Sequence, residues 1–94
     1  MRVRFTATAF AELIEIRDYI SKDNPVAAKA VVLRIEQVMA RIAQFPHIAR
    51  EIDESGVRVF PVGSFPYLVF YTVDQGGVIV RNVRHGKRKR LDED

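Results

Sequence analysis

The sequence predicts an α+β fold: an N-terminal strand, an antiparallel hairpin of two helices, and an antiparallel β-meander that packs against the helices. Three observations predict it. Residues 1–5 alternate apolar and polar side chains with the period of a strand, and residues 9–45 repeat apolar side chains with the period of a helix. Residues 57–83 then contain three β-branched and aromatic segments separated by turn signals. The chain has 94 residues and no Gly/Ser/Pro-rich linker, so we expect one domain over residues 1–94.

The first helix follows Thr6 or Thr8, either of which can serve as its N-cap. At about 100° per residue, its apolar side contains Ala9, Phe10, Leu13, Ile14, Ile16 and Ile20, and its polar side contains Glu12, Glu15, Asp18 and Tyr19. Arg17 falls inside the apolar arc. We expect its aliphatic stem to cover the core while its guanidinium reaches water or a carboxylate.

The second helix begins at "NPVAA", where Asn24 is a good N-cap and Pro25 fits the first helical position. Its apolar stripe runs through Ala28, Val31, Ile35, Val38, Ile42 and Phe45, and Pro46 ends it. A stripe of this length predicts an antiparallel helical hairpin that also covers a sheet. Val26 and Leu33 lie off the stripe, as partner contacts or as isolated exposed apolar residues.

The rest of the chain predicts strands. A polar connection after Pro46 contains a short strand over residues 50–53, and longer strands span residues 57–62, 67–73 and 78–83. The middle one of these three is almost continuously apolar, which indicates a central position in the sheet.

Charge is concentrated near the carboxyl end of the chain. The net charge is only +3, but residues 81–90 carry six cations and no acid: Arg81, Arg84, Lys87, Arg88, Lys89 and Arg90. Such a surface attracts phosphates, acidic protein segments or the chain's own acidic end at residues 92–94. We expect a basic, flexible tail over residues 86–94 that binds a partner.

Composition excludes several classes of protein. There is no cysteine, no apolar run of signal-peptide length and none long enough to cross a membrane, which predicts a soluble cytoplasmic protein. With two histidines far apart and no glycine-rich phosphate loop, we expect neither a metal site nor a cofactor.

Metal-independent RNA cleavage needs a base, an acid and cations for the phosphate. Arg58, Arg81 and His85 can converge if their strands are neighbours, but only His85 titrates near neutrality. A second proton-transfer group would come from Tyr67, Tyr71 or Glu51. The alternative interpretation of the same three residues is a phosphate-binding or partner-binding set, or solvated strand edges.

Several short patterns resemble the ParE branch of the RelE/ParE toxin superfamily. They are "AELIEIRDYI" and "NPVAA" in the helices, "FPHIAR" after them, "VRVFPVGSFPYLVFYTV" in the strands and "VRHGKRK" at the end. Together they cover nearly the whole chain in the order of the family. Ala49 is a departure, because the family frequently has glycine there.

The resemblance implies a toxin of a type II toxin–antitoxin module, often carried as a plasmid stabilisation system, which forms a hetero-oligomer with a cognate antitoxin. ParE-like members bind DNA gyrase without turnover, whereas RelE-like members are endoribonucleases that cut mRNA on the ribosome. The scarcity of acid/base groups favours the ParE side. We expect the target or its phosphates to contact Arg81, Arg84, His85, Lys87 and Arg88, and the antitoxin to contact Leu33, Arg84, Lys87 and Arg88.

Overall fold

The computed structural model describes residues 1–86 and has the predicted α+β architecture. Its elements are β1 Val3–Phe5, α1 Ala7–Ser21, α2 Pro25–Gln44, β2 Arg58–Pro61, β3 Tyr67–Asp74 and β4 Gly77–His85. The four strands form one sheet in the order β1-β4-β3-β2. β1 runs parallel to β4, and the other two pairings are antiparallel. Beyond Gly86, the tail predicted to be flexible lies outside the described residues.

Both helices begin where the sequence indicates. The Thr6 hydroxyl accepts a hydrogen bond from the Ala9 N–H at 3.0 Å, so Thr6 and not Thr8 caps α1. The Asn24 side-chain oxygen accepts from the Ala27 N–H at 3.0 Å, and a proline occupies the first turn of α2. Each cap satisfies one of the N–H groups that a helix start leaves without a partner.

The core lies between the helical hairpin and one face of the sheet. α2 contributes Ala28, Val31, Ile35, Val38 and Ile42, and the sheet contributes Val69, Tyr71, Val78, Val80 and Val83. The prediction for Phe45 was wrong, because α2 ends at Gln44 and Phe45 has a non-helical backbone that takes its ring off the stripe, leaving it 50% exposed.

The prediction for Phe10 was also wrong. The buried line of α1 runs through Ala9, Leu13, Ile16 and Ile20. Phe10 lies about 90° from that line around the helix and is exposed. Arg17 lies on the same flank and pairs with the adjacent Asp18 carboxylate at 3.0 Å, as its polar head was expected to do.

The strand predicted over residues 50–53 does not form. In its place the structure has a single antiparallel bridge between Glu51 and Arg58, the first residue of β2. The chain turns immediately afterwards, where the Asp53 carboxylate accepts from the Ser55 N–H at 2.8 Å. Hydrogen bonds from the Ser55 hydroxyl and from the Ser55 N–H also lower the pKa of Asp53. A turn-forming aspartate therefore competes with strand extension.

Two irregularities shape β4. The pairing with β3 shifts register next to Phe70, so that Arg81 has no partner across the ladder while Val80 and Val83 both face the core. Gly77 begins the strand at φ 131° directly against the Arg2 carbonyl, which accepts from the Val78 N–H at 2.7 Å. A Cβ at position 77 would collide with that carbonyl, so β1 can pair there only because the residue is glycine.

Candidate functional site

The far end of β4 is closed by a carboxylate from α1. β1 pairs with β4 only over Val78–Val80, so β4 continues beyond its neighbour. There the Glu12 carboxylate accepts from the Val83 N–H at 3.0 Å and from the Asn82 amide at 3.2 Å. Arg84 joins the same carboxylate, with 3.4 Å between its Nε and the second oxygen. Glu12 thus takes the place of a neighbouring strand and holds Arg84 at the sheet margin.

The next residue along β4 points to the other face. His85 is paired with Tyr67 of β3, and their rings meet edge to face with centroids 5.4 Å apart. Tyr67 packs against the core, so His85 lies on the helix-facing side of the sheet, where it is half-buried. Arg84 and His85 therefore present their polar groups on opposite faces of the strand.

Arg58 and Tyr71 anchor the connection between α2 and β2. Arg58 donates to the Ala49 carbonyl at 2.6 Å and to the Glu51 carboxylate at 3.3 Å. The hydroxyl of the fully buried Tyr71 donates to the Pro46 carbonyl at 2.8 Å. Burial raises the pKa of Tyr71, and a backbone hydrogen bond from Ala49 and the charge of Arg58 offset part of that rise. Both side chains thus hold the backbone of the connection.

Arg81 occupies the bulge of β4. Its Nε donates to the Thr72 hydroxyl at 3.1 Å, and the side chain is exposed. Thr72 follows the buried Tyr71 along β3 and therefore points away from the helices. Arg81 accordingly lies on the open face of the sheet.

The structure does not bring Arg58, Arg81 and His85 together. Arg58 is paired with Tyr71, and His85 with Tyr67, four residues away along β3. At about 3.4 Å per residue, these positions are about 14 Å apart along the strand, and Arg81 is on the other face. Of the suggested second proton-transfer groups, Tyr67 lies beside His85, whereas Tyr71 and Glu51 lie beside Arg58.

The remaining predicted contacts separate into two groups. Leu33 is 55% exposed near the middle of α2, and Val26 at the start of that helix is exposed as well. Lys87 and Arg88 lie outside the described residues.

Within residues 1–86, no group of three His, Asp or Glu side chains is placed to hold a metal ion. The same part of the chain contains no helix with the length and apolar character that a membrane span requires.

Sequence reasoning missed the role of Glu12. It placed Glu12 with Glu15 on the solvent side of α1, and no local pattern distinguishes the two. The difference is tertiary, because Glu12 lies on the flank of α1 that borders β4. β1 ends before it reaches Val83, which leaves the Val83 N–H available to Glu12. No local pattern shows where β1 stops pairing.

Comparison with known proteins identifies the family. The family model described as "ParE toxin of type II toxin-antitoxin system, parDE" matches residues 3–90. The chain belongs to the ParE toxin family. It is 32% identical over 88 residues to Y4kP of Sinorhizobium fredii, an alignment covering 94% of this chain and 91% of that protein. It is 33% identical over 87 residues to the toxin RelE2 of Caulobacter vibrioides, covering 93% of this chain and 97% of that one.

Solved structures share the fold of this ParE-family chain. A chain of the chromosomal ParDE TA system from P. aeruginosa superposes with a TM-score of 0.78 at 19% identity, covering 90% of this chain and 95% of that one. A chain of the YoeB-YefM complex from Staphylococcus aureus superposes with a TM-score of 0.62 at 16% identity, covering 89% of this chain and 94% of that one. The protein is thus a type II toxin–antitoxin toxin of the ParE/RelE superfamily, and the predicted fold and family are confirmed.

Proposed function

We propose that this ParE-family toxin inhibits growth by binding DNA gyrase without enzymatic turnover, and that a cognate antitoxin neutralises it in a hetero-oligomer. The observation that carries the proposal is the separation of Arg58, Arg81 and His85. RNA cleavage needs a base, an acid and a cation within reach of one phosphate. Here Arg58 is bonded to the Ala49 carbonyl, and Arg81 lies on the opposite face from His85.

Two described residues support the antitoxin surface proposed from the sequence. Leu33 offers an apolar contact on the outer side of α2, and Glu12 holds Arg84 at the margin of β4. An acidic, amphipathic antitoxin segment would lay an apolar helix face along the hairpin, while its carboxylates meet Arg84, Lys87 and Arg88. In this proposal the complex assembles in the cytoplasm. The module stabilises a plasmid because the toxin is neutralised only while the antitoxin is present.

A ribosome-dependent mRNA endoribonuclease is the second candidate. The observation that favours it is the 33% identity to the toxin RelE2 across nearly the whole chain. In that case His85, with Tyr67 beside it, would supply the proton transfer, and cations that include Arg81 would contact the phosphates.

One expression experiment separates the two candidates. The chain is induced with and without the neighbouring open reading frame as the antitoxin source, and growth, DNA damage and transcript ends are followed together. A gyrase inhibitor should arrest division, produce gyrase-dependent DNA breaks and leave mRNA intact. Purified protein should also block supercoiling by gyrase in vitro.

The endoribonuclease predicts the opposite set of results. Mapping of 5′ ends would reveal codon-positioned cuts soon after induction. His85→Ala would abolish those cuts, since loss of a proton-transfer group lowers a rate by roughly 10²- to 10⁴-fold, while antitoxin binding persisted. Such cleavage with normal supercoiling would overturn the gyrase proposal.

A further inference from the structure

The connection between α2 and β2 displays a concentration of apolar side chains. Eight large apolar residues are exposed within residues 1–86, and three of them lie here: Phe45 at 50%, Ile48 at 42% and Ile52 at 43%. An open depression of about 580 Å³ lies beside them, lined by Arg41, Gln44, Phe45, Pro46, His47 and Ile48. A patch of this kind on a small domain typically marks an interaction site. We call Arg41, Phe45, His47 and Ile48, which line this depression, the connection surface.

This exposure is fixed by the structure beneath it. Tyr71 and Arg58 hold the Pro46 and Ala49 carbonyls from below, and Ala49 itself is buried. The Ile52 N–H donates to the Val57 carbonyl at 2.9 Å, which ties the far end of the connection to the start of β2. The backbone that carries these side chains therefore loses little conformational freedom on binding, which favours affinity.

The charge of the surface indicates the chemistry of its partner. The residues that line the depression include Arg41 and His47 and no carboxylate, and the acids Glu51, Asp53 and Glu54 follow further along the connection. The neighbouring Glu51 is paired with Arg58. A protein segment that carries an apolar side chain between carboxylates complements both features, since the side chain fills the depression and the carboxylates meet Arg41 and His47.

The connection surface is separate from the proposed antitoxin contacts. Leu33 lies eleven residues before Gln44, the last residue of α2, which is about 17 Å along the helix axis. Arg84 lies on β4, whereas the connection is bonded to β2 at the opposite edge of the sheet. One short antitoxin helix centred on Leu33 would leave the connection surface open.

We infer that the connection surface binds the growth target of the toxin, through an acidic, apolar protein segment of that target. This inference rests on the proposed function, because it assumes a protein target. It goes further by naming the surface and the chemistry of the segment that docks there.

The test uses the full chain and its antitoxin. Ile48→Asp places a carboxylate in the apolar contact, and Val26→Asp is the control, a more exposed apolar position at the start of α2. Ile48→Asp should raise survival after induction by about tenfold or more, as expected for a central interface residue. It should leave the antitoxin Kd and the circular-dichroism melting curve unchanged. Val26→Asp should remain as toxic as wild type.

A second pair of variants tests whether the positive charge of the connection surface contributes to target binding. Arg41→Glu should also reduce toxicity, whereas Lys29→Glu, an exposed cation elsewhere on α2, should not. Full toxicity of both Ile48→Asp and Arg41→Glu would overturn the inference. Loss of antitoxin binding by Ile48→Asp would overturn it as well, because the surface would then belong to the antitoxin. If the wild-type chain itself does not arrest growth, the proposed function fails first, a result readily distinguished from the failure of one variant.

Discussion

Replacing Glu12 by alanine should destabilise the protein far more than its position on the flank of a helix suggests. The substitution removes the acceptor for the Val83 N–H, the partner of the Asn82 amide and the counter-charge of Arg84 at once. Val83 is 1% exposed, so water has little access to replace the lost acceptor.

The magnitude follows from the separate contacts. An unpaired backbone N–H at a buried residue costs about 1–3 kcal/mol. The ion pair with Arg84 contributes at most about 1 kcal/mol, because the two side chains are 30% and 25% exposed and screened by solvent. We therefore expect Glu12→Ala to lower the free energy of unfolding by about 1–4 kcal/mol. Because a domain of this size loses about 4–8 °C per kcal/mol, the Tm should fall by at least about 4 °C.

Glu12→Gln is the matched control. Its side-chain oxygen can still accept from the Val83 N–H, whereas the charge facing Arg84 is gone, so the loss should be about 1 kcal/mol or less. Urea unfolding followed by circular dichroism measures both variants, with an unchanged m-value as the check on two-state behaviour. The reasoning is refuted if alanine costs less than about 0.5 kcal/mol, or if glutamine costs as much as alanine.

Three further predictions concern the core and the proposed antitoxin surface. Because burial raises the pKa of Tyr71 above 10.0, the folded state retains the phenol proton when the unfolded state loses it. The free energy of unfolding should thus fall as pH rises above about 10. Tyr71→Phe should remove that contribution, so plots of the urea midpoint against pH should diverge between the wild type and the variant. Leu33→Asp should accelerate antitoxin dissociation in surface plasmon resonance, and unchanged kinetics would place that contact elsewhere. Reversing the charges of Arg84, Lys87 and Arg88 together should mainly slow association and weaken its salt dependence; an effect confined to dissociation would contradict a role in encounter.

The sequence was sufficient where a local pattern has one structural solution. The cap at Asn24, the α2 stripe and the three long strands follow from hydrogen-bonding capacity and periodicity, and all appear in the structure. The predictions for Phe45 and Phe10 were wrong because hydrophobicity identifies a side chain that would gain from burial, but it does not show whether another part of the fold packs over it.

The candidate site was less accessible to sequence reasoning. Arg58, Arg81 and His85 were identified as polar groups on neighbouring strands, but their separation depends on the bulge at Arg81 and on pairing register. The roles of Glu12 and Tyr71 depend on partners 71 and 25 residues away in the chain. No local pattern can anticipate contacts of that range.

The pairing of β1 with β4 has a consequence for synthesis. Val3 is paired with Val78, so the first strand to leave the ribosome needs the last strand as its neighbour. At 5–20 residues per second, about 4–15 s pass between the translation of these two positions. During that interval the helical hairpin can form, but the strand that covers much of α1 does not yet exist. A nascent chain therefore exposes the apolar sides of its helices to the cell until translation is nearly complete, and the finished toxin fold appears only at the end.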